Sequence, residues 1–378
     1  MEKTEKILHL SPDDKFVDMA LSTFNTFGCV ENDLVVYSRN KSLKFVKNKA
    51  FIIKNPRDIE SLINNYDLIV VHSLAPIWGR LLLKANKNIP IIWIGWGYDY
   101  YDFINQNLYL KETKDLIGNL GYLNLIDLIR VRLTNLARKI FRMSSSFDLF
   151  ELIERINYFS PVLESEYYMV KENLGNIKFP KYISFNYGNL ENYFAKDLEY
   201  KRVTGYNILI GNSASYTSNH IDSFSLLMGI DIGNAKIICP LSYGDKKYSR
   251  YVENQGVKYF GESFKPLVNF MPLSEYIENI SSCGYVIMNH CRQQAYGNIV
   301  TMLYLGAKVF LREENPLYSY LKSKGMHIFS IQELEKVKSL GERLEENIVL
   351  ENRSILSLLL SKNTIENHVK KILKLAKT

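Results

Sequence analysis

A polar cluster in the second half of the chain has the side chains needed to bind a phosphorylated ligand. An apolar run of residues 285–288 ends in a loop that contains Arg292, and a second run of residues 308–311 ends in Glu314. A helix-like pattern from Asn298 joins them, which predicts a strand, a loop, a helix and a strand. Arginine and the amides at a helix N-terminus bind anions, and a nearby carboxylate can accept hydrogen bonds from sugar hydroxyls. The combination is typical of a nucleotide diphosphate site.

The members of this cluster follow predicted strands or open the predicted helix. In a parallel α/β sheet, ligands bind beyond the carboxyl ends of the strands, so these side chains should converge on one crevice. They are Arg292, Gln293, Gln294, Gly297, Asn298, Glu314 and Asn315. The alternative is a surface arginine with solvated acids, because short patterns also arise by chance.

Two other predicted strands of this half also end in polar residues. Residues 207–210 lead into Gly211, and residues 237–239 lead into a Pro-Leu-Ser-Tyr-Gly turn. Glycine permits close backbone approach, and a serine can cap a helix whose first amides face a phosphate. The candidate substrate-binding residues here are Gly211, Asn212, Ser213, Ser215 and Tyr243. An ordinary strand-to-helix turn with an N-cap is the alternative.

These segments belong to two series of strand-like runs separated by helical patterns. The first series comprises residues 7–10, 34–37, 50–53, 68–71 and 89–94, and the second comprises residues 207–213, 235–244, 257–262, 285–290, 308–315 and 326–330. The alternation predicts an α/β fold with two doubly wound, parallel, Rossmann-like sheets. Two such domains facing across a cleft describe the GT-B architecture.

The predicted domain boundaries follow from the same pattern. A chain of 378 residues exceeds the size at which one hydrophobic core keeps growing, so two domains are expected. We place an N-terminal domain at residues 1–190 and a C-terminal nucleotide-sugar-binding domain at residues 205–352, joined by an irregular segment. Residues 353–378 have a basic, leucine-rich helical pattern that could pack back on the first domain.

Composition excludes several classes of protein. The net charge of +7 arises from 47 basic and 40 acidic residues that are interleaved, which favours an anionic ligand or a membrane surface over a nucleic-acid groove. The N-terminus lacks a signal-peptide pattern, and no uncharged run approaches the ~20 residues that span a bilayer. The four cysteines lack metal-ligand spacing and are expected to be free thiols. We therefore expect a cytoplasmic protein that is not integral to a membrane.

Five motifs occur in a recognisable order and spacing. They are WGYDYYD at 96–102, GNSASYTSNHI at 211–221, PLSYG at 240–244, RQQAYGN at 292–298 and ENP at 314–316. Together they resemble glycosyltransferase family 56, the dTDP-N-acetylfucosamine:lipid II N-acetylfucosaminyltransferases of enterobacterial common antigen synthesis. The resemblance implies a GT-B fold and a dTDP-activated 4-acetamido-4,6-dideoxyhexose donor bound mainly by the C-terminal domain. It also implies a polyprenyl-diphosphate-linked glycan acceptor, bound by the N-terminal domain at the cytoplasmic surface of the inner membrane.

Glycosyl transfer needs a base for the acceptor hydroxyl, and the first half offers carboxylates after its predicted strands. Asp13 and Asp14 follow the first strand, and Asp99 follows the fifth in a Trp-Gly-Tyr-Asp turn. Asp99 is the first choice, because its aromatic neighbours would raise the pKa of the carboxyl group. The alternative for Asp99 is a hydrogen bond that stabilises the turn. His9 and His72 lie in or beside apolar runs and are expected to be hydrogen-bonded core residues.

The leaving diphosphate needs its developing negative charge stabilised. The chain has no Asp-x-Asp triplet, which argues against a metal ion of that usual kind. We therefore predict metal-independent catalysis without a cofactor, in which Arg292 and helix amides stabilise the leaving group.

Residues 119–143 combine apolar positions at helical spacing with five basic residues, which is typical of a helix that lies on anionic lipid headgroups. A helix with one face in the core and its arginines in water is the alternative. A lipid-linked acceptor favours the interpretation in which this helix contacts the membrane.

Three other functions fit part of the sequence. Another GT-B transferase could use a different nucleotide sugar, and a GT-B-fold nucleotide-sugar epimerase would need no lipid surface. A basic protein that binds nucleic acid would concentrate Lys, Arg and aromatic residues on one face. The 26 tyrosines and 19 phenylalanines are instead scattered through the chain, so we expect no nucleic-acid partner.

Overall fold

The computed structural model describes residues 4–40, 42–104, 107–119 and 149–377 of the chain. These residues form two compact units. Unit 1 contains the described residues before 105, residues 149–189 and residues 360–377, and unit 2 contains residues 107–119 and 190–359. The basic helix predicted at residues 119–143 lies outside the described residues from residue 120 onward.

Each unit contains one parallel β-sheet. In unit 1 the strands are β1 (Glu5–Pro12), β2 (Val30–Tyr37), β3 (Phe51–Ile53), β4 (Leu68–His72), β5 (Ile91–Ile94), β6 (Tyr158–Ser160) and β7 (Lys181–Tyr182). In unit 2 they are β8 (Ile208–Ile210), β9 (Ile237–Pro240), β10 (Phe264–Leu267), β11 (Tyr285–Met288), β12 (Lys308–Leu311) and β13 (Phe329–Ser330). The strand orders are β3-β2-β1-β4-β5-β6-β7 and β10-β9-β8-β11-β12-β13.

Helices connect the strands in both units. They are α1 (Lys15–Phe24), α2 (Gly79–Lys84), α3 (Lys111–Asn119), α4 (Leu149–Arg155), α5 (Glu164–Leu174), α6 (His220–Leu227), α7 (Lys246–Phe260), α8 (Leu273–Ser281), α9 (Tyr296–Leu305), α10 (Pro316–Ser323), α11 (Ile331–Leu334), α12 (Glu346–Leu360) and α13 (Lys362–Leu373). The two doubly wound parallel sheets predicted from the sequence are thereby confirmed.

The central strands β4 and β5 of unit 1 are nearly continuous apolar runs and are buried, as expected for a parallel sheet that is covered on both faces. All five residues of β4 are buried. Val369 and Ile372 of α13 lie in the same core cluster as Ile7 of β1 and Phe24 of α1. Full burial of each such side chain stabilises the fold by about 1.5–3 kcal/mol. The C-terminal helix is therefore part of the core of unit 1.

The strand order places the switch points of the two sheets. In each unit the chain builds outward from one central strand and then crosses to its other side, at β1 and β4 in unit 1 and at β8 and β11 in unit 2. A crevice opens beyond the carboxyl ends of the strands at such a point, and it is where doubly wound sheets bind ligands. The polar residues after β1, β4, β8 and β11 therefore lie where a sheet of this kind binds its ligand.

One predicted strand of the second series is wrong. Residues 257–262 form the end of helix α7 and the turn after it, and the strand β10 follows. The side chain of Asp245 accepts a hydrogen bond of 2.7 Å from the backbone N–H of Tyr248 and starts this helix. Tyr248, Val252 and Gly256 are its buried residues, which is the spacing of one helix face.

A second difference concerns residues 107–119, which lie within the predicted N-terminal domain but belong to unit 2. Asp222 of α6 explains this placement, because its carboxylate accepts hydrogen bonds from the backbone N–H groups of Glu112 (2.9 Å) and Thr113 (3.1 Å). A carboxylate at the start of α3 also interacts favourably with the helix dipole.

Candidate functional site

The amide of Gln294 joins the loops that follow β8 and β11. Its Oε1 accepts hydrogen bonds from Thr217 Oγ1 (2.6 Å) and Arg292 Nε (3.1 Å). Its Nε2 donates to Asn212 Oδ1 (2.9 Å) and Ser218 Oγ (3.3 Å). The structure therefore brings together residues that were predicted from two separate motifs, and it orients Arg292 at the switch point of unit 2.

Gly211 is required at the end of β8 for two reasons. Its φ of +65° lies in the left-handed region, and a Cβ atom there would lie 2.6 Å from His220 Nε2. Gly211 was expected to allow a close approach of the backbone, and in the structure the group that its backbone approaches is the ring of His220. Any larger residue would displace that histidine from beneath the loop.

No serine caps the helix that follows. Helix α6 begins at His220 after Asn219, whose φ is 49°, and it lacks a side-chain cap. Ser215 Oγ instead pairs with Thr217 Oγ1 at 2.8 Å, and the backbone oxygen of Ser213 accepts from Ser218 Oγ at 3.2 Å. The predicted capping role of the serines is therefore wrong. Their hydroxyl and carbonyl groups shape the loop around Gln294.

Helix α9 begins two residues earlier than predicted. It starts at Tyr296 after Ala295, which has a φ of 62°, and no described side chain caps its first turn. Gly297 lies within that turn, where an added Cβ would meet Phe194 Cε1 at 3.3 Å. An alanine held in the left-handed region costs roughly 1–2 kcal/mol. The strained turn places the N-terminus of α9, which is the positive end of the helix dipole, directly after the loop that contains Arg292.

Three more predicted residues surround this loop cluster. Asn298 Nδ2 donates to Tyr276 Oη at 3.0 Å, and Gln293 is buried. Tyr243 follows β9 with its ring half exposed, and its backbone oxygen accepts from Ala214 N at 2.8 Å. Tyr243 therefore contributes exposed aromatic surface after β9.

Glu314 is held by two neighbours. Its carboxylate accepts from Arg312 Nε and Nη2, both at 3.2 Å, and from Gln332 Nε2 at 2.6 Å. Desolvation opposes ionisation, but these hydrogen bonds and the guanidinium charge of Arg312 lower the pKa of Glu314 below its ordinary value. The side chain stays half exposed, so the ionised carboxylate can still accept from a ligand hydroxyl.

Asn315 has a structural role. It is fully buried, and its Oδ1 caps α10 by accepting from the backbone N–H of Leu317 at 3.0 Å. Its Nδ2 has no hydrogen-bond partner among the described residues.

Two buried histidines lie beneath this site, and sequence analysis missed them. His220 Nδ1 lies 3.2 Å from Tyr248 Oη, whereas His220 Nε2 and both ring nitrogens of His290 have no hydrogen-bond partner among the described residues. Burial lowers the pKa of each ring to about 3, and for His290 the charge of Arg292 also contributes. Both rings are therefore neutral. The only sequence signal was the position of His290 two residues after β11.

In unit 1, Asp99 has the hydrogen bonds of a carboxylate that fixes a turn. Its Oδ2 accepts from Trp93 Nε1 (2.7 Å) and Leu74 N (2.9 Å), and its Oδ1 accepts from Trp96 N (2.8 Å). Desolvation raises the pKa of this partly buried group, although its hydrogen-bond donors oppose the rise. The geometry favours the turn-stabilising alternative over a catalytic base.

The carboxylate of Asp13 is also bonded to backbone N–H groups. It accepts from the N–H groups of Lys44 (2.6 Å), Phe45 (3.0 Å) and Val46 (3.0 Å). Desolvation opposes ionisation, but these three bonds lower the pKa of Asp13 below its ordinary value, which makes it a weaker base.

Asp14 is the carboxylate best suited to accept a proton. It caps α1 by accepting a hydrogen bond from Phe16 N at Oδ1 (3.1 Å), and it is only partly buried. Desolvation raises its pKa above the ordinary value, although the Phe16 N–H and the charge of Lys15 oppose the rise. Asp14 thus combines access to solvent with increased basicity at the switch point of unit 1.

His9 and His72 form a buried hydrogen-bonded pair. His9 Nδ1 lies 2.9 Å from His72 Nε2, and His72 Nδ1 lies 2.7 Å from Tyr187 Oη. Burial lowers the pKa of His9 to about 4 and that of His72 well below its ordinary value. Both rings are neutral core residues.

The described part of the chain contains no group of three or more His, Cys, Asp or Glu residues that could hold a metal ion. Across the same residues, no helix has the length and apolar character to cross a bilayer.

Solved structures with similar folds cover nearly the whole chain. A glycosyltransferase from Rickettsia africae matches with a TM-score of 0.64 and 13% identity, over 99% of this chain and 98% of that one. The HepE protein of Anabaena, solved with UDP and glucose, matches at 0.61 and 12%, over 98% and 99%. Sucrose-phosphate synthase of Thermosynechococcus elongatus matches at 0.63 and 9%, over 98% of each chain. At these identities the likeness establishes the fold alone.

The paired doubly wound sheets are those of GT-B glycosyltransferases. Residues 179–366 match the family model described as 4-alpha-L-fucosyltransferase, glycosyl transferase group 56. This match places the chain in glycosyltransferase group 56, and the protein is a glycosyltransferase.

Proposed function

We propose that this enzyme transfers an N-acetylated amino-deoxyhexose from a dTDP-sugar to a polyprenyl-diphosphate-linked oligosaccharide in bacterial surface polysaccharide synthesis, of the enterobacterial common antigen or O-antigen type. The family match supports transfer of a deoxyhexose. The observation that carries the donor assignment is the Gln294 network, which joins Arg292 to the loop after β8 at the switch point of unit 2.

In this proposal unit 2 binds the donor. Arg292 and the first amides of α9 hold the diphosphate, because both present hydrogen-bond donors and positive potential. As the glycosidic bond breaks, the same groups stabilise the charge that develops on the leaving nucleotide. Glu314, kept ionised by Arg312, accepts a hydrogen bond from a sugar hydroxyl of the donor.

Asp14 of unit 1 serves as the base in the same proposal. It accepts the proton of the acceptor hydroxyl as that oxygen attacks the donor carbon, since a raised pKa makes a carboxylate a better proton acceptor. No metal ion or cofactor takes part. The lipid-linked acceptor would reach the enzyme at the cytoplasmic surface of the inner membrane, where residues 119–143 are the proposed contact with headgroups.

Thermal unfolding in the presence of dTDP, UDP, GDP and CMP tests the donor assignment. A nucleotide at 100 times its Kd stabilises the protein by about 2.7 kcal/mol, so the preferred base will give the largest rise in Tm. We expect dTDP to give that rise and the Arg292→Ala variant to lose most of it. If no nucleotide raises the Tm of the wild-type protein, the proposal fails.

A second candidate is transfer from a UDP-sugar. The HepE protein of Anabaena, whose fold matches over 98% of this chain, was solved with UDP and glucose. A larger Tm rise with UDP than with dTDP would select this candidate.

A further inference from the structure

The segments that follow β1, β5 and β7 carry a group of aromatic side chains that the proposed chemistry does not use. We call Phe16, Trp96, Tyr98 and Tyr187 the aromatic platform. Ring centroids lie 5.7 Å apart for Phe16 and Trp96, 6.2 Å for Trp96 and Tyr98, and 5.8 Å for Phe16 and Tyr187. Phe16 is 37% exposed and Tyr98 is 56% exposed. The platform is therefore a partly open aromatic surface beside Asp14.

The hydroxyl of Tyr98 accepts one hydrogen bond and keeps its own proton as a donor. Ser73 Oγ donates to Tyr98 Oη at 2.8 Å, so the phenol proton remains to be given to another group. Ser73 is fully buried with a φ of 64°, and its backbone N–H donates to Ile94 O at 2.8 Å. A serine in the left-handed region is a strained residue, and such residues cluster at functional sites.

The hydroxyl of Tyr187 is held by a series of buried hydrogen bonds in which each donor can be assigned. Asn32 Nδ2 donates to Asn25 Oδ1 at 2.9 Å, so Asn32 Oδ1 is the acceptor that faces His9 Nε2 at 3.1 Å. His9 Nδ1 must then accept from His72 Nε2, and His72 Nδ1 must accept from the hydroxyl of Tyr187. The Tyr187 proton therefore points inward, and its ring forms a rigid wall of the platform.

The chemistry of the platform distinguishes between possible ligands. Phe16 meets Trp96 at 65° and Trp96 meets Tyr98 at 67°, so the rings do not form the parallel slot that a flat nucleobase would fill. Lys15 Nζ lies 5.5 Å from the centroid of Phe16, which disfavours a cationic ligand. A pyranose ring fits both constraints, because its C–H face packs on aromatic carbon while its hydroxyls hydrogen-bond to a phenol and a carboxylate.

We propose that the aromatic platform is a pyranose subsite for the acceptor, with the hydroxyl of Tyr98 and the carboxylate of Asp14 as its hydrogen-bonding partners and Ser73 as the residue that positions Tyr98. This inference rests on the proposed function for the identity of the sugar as the acceptor. Binding of a sugar ring at the platform can be measured without any nucleotide.

Tryptophan fluorescence gives a direct test. Trp78 and Trp93 are fully buried, whereas Trp96 is partly exposed on the platform, so a ligand there will change the emission of Trp96 selectively. The full-length protein without nucleotide is titrated with the methyl glycosides of glucose, galactose, N-acetylglucosamine and N-acetylmannosamine. We expect at least one to give a saturable change that Trp96→Phe abolishes.

Variants of Tyr98 and Ser73 then test the hydrogen bonds. Tyr98→Phe keeps the ring and should weaken binding of that glycoside about 3- to 10-fold, the value of one hydrogen bond. Ser73→Gly removes the hydroxyl at a backbone angle that glycine tolerates, and it should raise the KM for the acceptor while the KM for the donor and the Tm stay unchanged. Tyr168→Phe, on α5 and 51% exposed, is the matched control and should change nothing.

The possible outcomes separate this inference from the donor assignment. If dTDP raises the Tm but no glycoside changes the fluorescence and Tyr98→Ala has a normal acceptor KM, the platform is not a sugar site and the donor assignment stands. If a glycoside changes the emission of Trp96 and no nucleotide raises the Tm, the aromatic platform is supported as a sugar site and the proposed donor is wrong. Equal effects of Tyr98→Phe and Tyr168→Phe would also overturn the inference.

Discussion

Replacing Gln294 by alanine should damage the donor site more than it damages the fold. The side chain makes four hydrogen bonds, to Thr217, Arg292, Asn212 and Ser218. Each contributes about 0.5–1.5 kcal/mol, and water replaces part of this in a partly buried loop, so the free energy of unfolding should fall by about 2–3 kcal/mol. The loops after β8 and β11 would then no longer share an anchor.

The larger effect is expected on nucleotide affinity. Without Gln294 Oε1, the guanidinium of Arg292 loses one acceptor that orients it, and ordering a less constrained side chain on binding costs about 0.5–1.5 kcal/mol. With the loop after β8 also released, we expect the Kd for dTDP to rise about 5- to 100-fold, since about 1.4 kcal/mol is a factor of ten. Gln294→Glu adds a negative charge beside the proposed diphosphate position, so the loss of dTDP affinity in this variant should shrink as salt is raised.

Isothermal titration calorimetry with dTDP and urea unfolding measure the two effects separately. Gln255→Ala on α7, which replaces another partly exposed glutamine of unit 2, is the control and should leave both values unchanged. An unaltered dTDP affinity in a folded Gln294→Ala protein would refute the reasoning, because the network would then have no part in donor binding.

The other predictions concern single groups of the proposed reaction. Arg292→Ala should weaken dTDP binding and slow transfer, and Arg292→Lys should restore only part, since lysine lacks the bidentate fork; normal calorimetry and turnover for Arg292→Ala would disprove it. Glu314→Gln should weaken donor binding by about 1–3 kcal/mol, measured by calorimetry. Asp14→Asn should lower kcat by roughly 10²–10⁴-fold. In the wild type, kcat should fall as the pH drops through the raised pKa of Asp14, where the base becomes protonated, and an unchanged acidic limb in the variant would exclude Asp14. Activity should survive excess EDTA, and loss restored by Mg²⁺ or Mn²⁺ would show a bound cation.

Local sequence was sufficient to predict most of the strands, and the reason is physical. Strands of a doubly covered parallel sheet are buried on both faces, so β4 and β11 read as short uninterrupted apolar runs. The strands β6, β7 and β10 were missed, because their sequences, Tyr-Phe-Ser, Lys-Tyr and Phe-Lys-Pro-Leu, are not uninterrupted apolar runs.

The wrong prediction of a strand at residues 257–262 also has a physical reason. A valine, a tyrosine and a phenylalanine in six residues resemble a strand when they are read alone. They close a helix of 15 residues that Asp245 starts, and a helix is recognised only over its whole length.

Candidate bases illustrate what local sequence cannot separate. Asp13, Asp14 and Asp99 all follow strands and all resemble plausible catalytic carboxylates in the sequence. Backbone N–H groups that occupy Asp13 come from residues 44–46, and one donor to Asp99 comes from Leu74. These partners are distant in the chain, so only the tertiary structure shows that Asp13 and Asp99 are engaged by N–H donors and leaves Asp14 as the proposed base.

The sequence by itself determined the α/β class, the presence of two sheets and the polar character of the strand ends, because each depends on residues that are neighbours in the chain. Tertiary structure alone decided the strand order, which places β1 beside β4 and β8 beside β11. It also decided that Gln294 meets Asn212 and that Ser73 meets Tyr98. Such contacts depend on how the central strands pack against each other, and that packing is a property of the whole core, which no single segment contains.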